Sequence, residues 1–168
     1  MWISPETNFN DIELDELFWF VGSRRNQENG INTYVSTIFS RYPRQILAFN
    51  VDKRVTSKNI QEMVYSLPQA NNYHTDGGYV YQFVDFGMGF HNRNIHNKND
   101  THQIESSNAD LRTYIPWLKR KSKAFSRCRK MLSIVIGIFV NAFNKFGEYK
   151  TKYPQKHRHT GLSVLDFL

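Results

Sequence analysis

The 168-residue chain has a single cysteine, Cys128, so it has no internal disulfide and no Cys-rich zinc site. One free thiol suits a reducing cytoplasm. Met1–Asn10 lacks a basic start followed by an apolar run, which excludes a signal peptide by pattern. Long hydrophobic runs are also missing. The longest, Met131–Val140, contains Ser133 and Gly137 and is closed by Asn141, Asn144 and Lys145. A membrane span needs about 20 apolar residues, so this run reads as a buried helix and no membrane partner is expected. There is no GxGxxG, no GxxxxGK[ST] and no GxSxG, leaving nucleotide-cofactor, P-loop and serine-hydrolase readings without support.

What is present is a hydrophobic content of 40% with 15% aromatics, sufficient for one domain with one core. The net charge of +7 is unevenly spread. Residues 1–110 carry 9 Lys/Arg and 13 Asp/Glu, a balance of −4, whereas residues 111–168 carry 13 and 2, a balance of +11. An acidic first part suits divalent cations and a basic second part suits a polyanion, although a basic tail is equally read as a solvated one.

Ile12–Val21 reads as a strand in which Ile12, Leu14, Phe18 and Phe20 alternate with Asp11, Glu13, Asp15 and Trp19. Ile31–Phe39 and Gln45–Val51 are two more strands, joined across Pro43, and the three form an antiparallel meander. Thr56 or Ser57 caps a helix with the stripe Ile60, Met63, Val64 and Leu67, stopped by Pro68. Asn71–Thr75 reads as a short strand before the turn Asp76-Gly77-Gly78, followed by a short helix within Tyr79–Phe86 and a last strand in Phe90–Ile95. His102–Ile115 is a helix carrying Glu105, Asn108, Ala109 and Arg112 on one face, ending near Pro116. A basic segment, Lys119–Lys130, leads to an apolar helix, Met131–Phe146, which Gly147 closes. The last twenty or so residues read as an unpacked basic tail in which LSVLDFL is able to dock. The order implies an α/β fold, a mixed β-sheet flanked by helices, and matches the ribonuclease H-like order while leaving flavodoxin-like orders open. The expected division is a catalytic domain over 1–130 and a C-terminal helix with basic tail over 131–168.

Asp15 in a strand, Asp76 at a strand end and Glu105 at a helix start are placed to converge at one edge of a sheet. A carboxylate inside an apolar strand costs several kcal/mol unless compensated. Mg²⁺ or Mn²⁺ supplies that compensation with oxygen ligands, and two such ions about 3.5–4 Å apart suit phosphoryl chemistry. Each acid also has an ordinary reading: a solvent-facing strand residue, an Asp-Gly turn, a first-turn helix acid. Glu16 points to the opposite face from Asp15 and is not expected to share its metal. Arg112, two turns after Glu105, suits a phosphate or a surface ion pair. His91, His96, His102, His157 and His159 lack a zinc motif, and His96 or His102 is open to a DNA contact instead.

These residues resemble the insertion-sequence-one family of bacterial transposases, in its InsB-type catalytic protein. The likeness runs from Ile12 to about Met131. It rests on Asp15-Glu16 with Trp19, on Thr75-Asp76-Gly77 with Tyr79 and Tyr81, and on Thr101, Ile104-Glu105, Asn108, Leu111-Arg112, Lys121-Ser122, Phe125 and Ser126. The family pattern places its tryptophan where this chain has Phe18, one residue before Trp19. The resemblance implies a DDE-type transposase with Asp15, Asp76 and Glu105 as both catalytic and metal-binding triad. Arg112, Asn108, Lys119, Arg120, Lys121, Lys123 and Arg127 are then the DNA-binding residues. It further implies 3′-end cleavage and strand transfer on insertion-sequence ends and target DNA, self-association, and a bacterial or archaeal cytoplasm. Related transposases carry an N-terminal zinc-finger and helix-turn-helix region, so fusion to an upstream-frame DNA-binding domain is expected. An inactive DNA-binding or regulatory remnant and a nuclease that cleaves without joining are the alternatives.

Overall fold

A computed structural model describes residues 9–21, 31–93, 102–118, 128–154 and 161–168. Its strands are β1 (Asp11–Val21), β2 (Ile31–Ser40), β3 (Gln45–Asp52), β4 (Asn72–Thr75) and β5 (Phe90–Arg93). The helices are α1 (Ser57–Tyr65), α2 (His102–Tyr114) and α3 (Arg129–Lys152). The strands form one sheet in the order β3-β2-β1-β4-β5. The expected meander is there: β1 pairs antiparallel with β2, and β2 with β3. β4 then joins β1, and β5 joins β4, in parallel. This is the mixed sheet of the ribonuclease H-like order.

β1 is the central strand, and helices cover both of its faces. Ile12 and Leu14 pack with Ile60, Met63 and Val64 of α1. Leu17, Trp19 and Val21 pack with Ile104 and Leu111 of α2 and with Leu132, Ile136 and Phe143 of α3. The simple polar/apolar alternation expected of this strand therefore fails. Trp19 and Glu13 are buried, at 4% and 0% exposed, while Phe18 is 50% exposed. Alternation of that kind belongs to strands with one wet face, and β1 has none over most of its length.

α1 starts at its Thr56 cap, whose hydroxyl accepts from Asn59 N at 3.2 Å, and stops at Tyr65, short of Pro68. Tyr79–Phe83 is a 3₁₀ helix. α3 does not end at Gly147 but continues to Lys152. Gly147 is there for space: a Cβ at this position would lie 2.9 Å from the Arg44 carbonyl oxygen. The buried Asn144 side chain joins the helix to the edge strand, accepting from Ile46 N and donating to Ile46 O, both at 2.9 Å. By length and composition α3 would pass for a membrane span, with a mean hydropathy of 1.2 over eighteen residues. One face, with Leu132, Ile136, Phe139 and Phe143, is nevertheless buried in the core, while Met131, Ile134 and Ile138 are exposed, so the buried-helix reading holds for that face alone. The LSVLDFL segment docks: Val164 is buried, and the Phe167 ring meets Phe146 and Tyr149, both at 5.5 Å.

Candidate active site

The parallel register of β1 with β4 aligns Leu14 with Thr75. An acid follows each member of this pair, Asp15 within β1 and Asp76 just past the end of β4. Past β4 the chain turns at once, with the Asp76 Oδ1 accepting from Gly78 N at 2.9 Å. Gly77, at φ 84, supplies the left-handed residue that this turn requires. Successive residues of β1 point to opposite faces, so Asp15 turns toward α2 and Glu16 away from it.

α2 lies along the Asp15 face. Asn108, 5% exposed, donates from Nδ2 to Asp15 Oδ2 at 2.7 Å, and its Oδ1 faces the Thr37 hydroxyl at 3.4 Å. The carboxyl of Asp15 is pushed above the usual carboxylate range, first by burial and then by the charges of Asp76 and Glu105. Its hydrogen bonds to the Glu16 backbone and to Asn108 oppose that rise. The sheet and α2 thus bring Asp76 and Glu105 each within electrostatic reach of Asp15. Among the described residues, no three His, Cys, Asp or Glu side chains stand close enough together to hold a metal ion in this arrangement.

Glu16 faces the other side, as expected, where the Tyr81 hydroxyl donates to its Oε1. Burial and the neighbouring Asp15 and Asp76 raise its pKa to about 7. Tyr81 is itself 1% exposed and held far above the usual phenol range by burial and the Glu16 charge. His91 Nε2 lies 3.0 Å from the hydroxyl of Thr75, the residue before Asp76. Burial, followed by the charge of Arg93, lowers its pKa to about 4, so it is neutral at physiological pH.

Of the other sequence-selected residues, Arg112 sits half-buried on α2, two turns beyond Glu105. Lys119, Arg120, Lys121, Lys123 and Arg127 lie outside the described residues, as do Thr101, His96, His157 and His159. Asn108, grouped with the DNA contacts from sequence, is buried and bonded to Asp15. Sequence reasoning missed Glu13, which proves to be fully buried and bonded to both Arg41 and Ile104 N. A cleft of about 410 Å³ lined by Phe49, Val51, Ser133, Gly137 and Asn141 lies between β3 and α3, two strands away from the acids.

The IS1 transposase family model matches residues 10–146, most of the chain and all of the elements that carry the acids. The protein belongs to the IS1 transposase family. That is the insertion-sequence-one family its motifs resemble. A comparison with curated proteins returned no match.

The donor set also suits a hard divalent cation. Asp15, Asp76 and Glu105 offer only oxygen, and Asp15 is partly desolvated beside the like charges of Asp76 and Glu105, with hydrogen bonds from the Glu16 backbone and Asn108. A site with surplus negative charge and carboxylate ligands favours Mg²⁺ or Mn²⁺ over softer metals.

Proposed function

We propose that this IS1-family transposase is the catalytic part of a DDE-type enzyme that cleaves DNA at the 3′ ends of its element and joins them to a target. The observation carrying this reading is the placement of Asp15, whose affinity for a proton is raised first by burial and further by the charges of Asp76 and Glu105. A group of acids that stabilises a proton in this way will also stabilise a divalent cation.

Asp15, Asp76 and Glu105 would hold Mg²⁺ or Mn²⁺, which when bound lowers the pKa of an attacking water or 3′-hydroxyl and stabilises the leaving oxygen. The amide of Asn108 fixes the rotamer of Asp15 through one carboxylate oxygen. Tyr81 keeps Glu16 on the opposite face and out of the ligand set. Arg112 is assigned to the phosphate flanking the reacting one, and Lys119, Arg120, Lys121, Lys123 and Arg127 to the DNA backbone beyond it. Residues 1–130 are then the catalytic domain, and 131–168 add a helix and a basic tail. The enzyme works in the cytoplasm of a bacterium or archaeon. It self-associates to hold two ends, and finds them through a DNA-binding domain fused from an upstream frame.

The test is strand transfer in Mn²⁺ with pre-cut ends taken from the DNA flanking the reading frame. Joined products that disappear in Glu105→Gln support the assignment. Joining retained in Asp15→Asn, Asp76→Asn and Glu105→Gln alike would sink it. Cleavage without joining would indicate a nuclease, and DNA binding without chemistry an inactive remnant.

A further inference from the structure

Glu13 is a fully buried carboxylate with no part in the chemistry proposed above. It is 0% exposed, accepts from Arg41 Nε at 2.6 Å, and accepts from the backbone N–H of Ile104 at 2.7 Å. Ile104 lies in the first turn of α2, where backbone N–H groups have no partner within the helix. A buried carboxylate there satisfies one of them and is favoured by the helix dipole, while Arg41 balances its charge.

Four residues later on α2, Asn108 is bonded to Asp15. The two attachments match in pitch. From Glu13 to Asp15 is two steps along a strand, about 6.6 Å. From Ile104 to Asn108 is four steps along a helix, about 6 Å. α2 is therefore fastened to β1 at two points in register, and Glu105 lies between them. The β2–β3 turn adds a third tie, because Arg44 donates to Ser106 of the same helix at 3.1 Å and lies 3.9 Å from Asp110.

We propose that Glu13, held by Arg41, is a positioning residue that sets the register of α2 on β1 and so places Glu105 opposite Asp15. The inference rests on the reading of Asp15, Asp76 and Glu105 as the metal-binding acids. Glu13 itself touches neither metal nor substrate. Glutamine cannot replace it in kind, because Arg41 and Ile104 donate to different oxygens of the carboxylate, and an amide would turn its NH₂ group toward one of those two donors.

Mn²⁺ binding to the full chain, followed by calorimetry, provides the test. Glu13→Gln is expected to weaken Mn²⁺ by at least about 10-fold, as losses of residues that orient ligands commonly do. Metal-free DNA affinity is expected to stay within about 2-fold, since no DNA-facing residue is altered. If Glu13→Gln does not fold, Arg41→Met, altered at the more exposed partner, carries the same expectation, and Arg41→Lys restores most of the binding by returning the charge. A lowered Tm with unchanged Mn²⁺ affinity, where Glu105→Gln loses the ion, makes Glu13 merely structural and overturns the proposal. Wild-type Mn²⁺ affinity in Glu105→Gln overturns the site reading and this inference with it.

Discussion

Glu16 illustrates how much the central strand's surroundings change an ordinary side chain. Its neighbour Asp15 faces α2, whereas Glu16 is covered by Tyr81, and burial among like charges lifts its pKa from 4.5 to about 7. In divalent-free buffer the folded chain therefore holds a proton that the unfolded chain has released. The corresponding stability is complete below about pH 4.5 and is lost as the pH rises through about 7. Its size is at most about 3 kcal/mol, since water reaches part of the group. Urea melts at pH 5 and pH 8 are expected to show this fall, and Glu16→Gln to flatten it; an equal fall in both proteins would remove Glu16 as its cause. At this scale the sequence was legible where a residue sits at an element boundary. Asp76 before Gly77 and Glu105 near a helix start could be picked out that way. Glu13 could not, because its partners lie 28 and 91 residues away and only the folded sheet brings them near. Asn108 was singled out, but its bond to Asp15 spans 93 residues and was equally out of sight.

Among the elements, α3 departs most from its sequence pattern. Gly147 reads as a stop signal, yet the helix runs through it, since the glycine admits the Arg44 carbonyl and no residue there turns left-handed. Punctuation by glycine cannot be told from close packing without knowing what lies opposite. Asn144, which reads as the polar end of an apolar run, is a buried hook that satisfies both backbone groups of Ile46 on the sheet edge. Asn144→Leu is expected to cost about 3 kcal/mol in chemical denaturation, because two buried backbone groups lose their partners. A loss under about 0.5 kcal/mol would mean that water or a local shift replaces the hook. β1 fails its expected alternation for a related reason, since a periodicity argument presumes one solvent face and this strand is covered on both. By contrast, β2, β3, α1 and α2 follow their patterns to within a residue or two, because their caps and turns are local.

Over the whole molecule, charge and fold divide the work. The acidic first 110 residues hold the three carboxylates, and the remainder carries +11, to which the proposed function assigns the attraction for DNA. DNA affinity should accordingly fall steeply with salt. Neutralising Lys119, Arg120, Lys121 and Lys123 should lower the slope of log affinity against log salt by roughly 1 for each phosphate that no longer meets a cation. An unchanged slope would move the DNA face elsewhere. The mixed α/β sheet was legible because three adjacent strands, then a helix and a strand, leave few ways to build one, whereas the position of β4 beside β1 was settled only by the structure. That Asp76 and Glu105 come within electrostatic reach of Asp15 follows from the strand order and from no local signal. The most direct test is therefore the anomalous scattering of Mn²⁺ in crystals of the chain. The account predicts a peak contacted by oxygens of Asp15, Asp76 and Glu105, and no peak at that place in Asp15→Asn. A well-ordered site with all three carboxylates in place and no Mn²⁺ between them would contradict it.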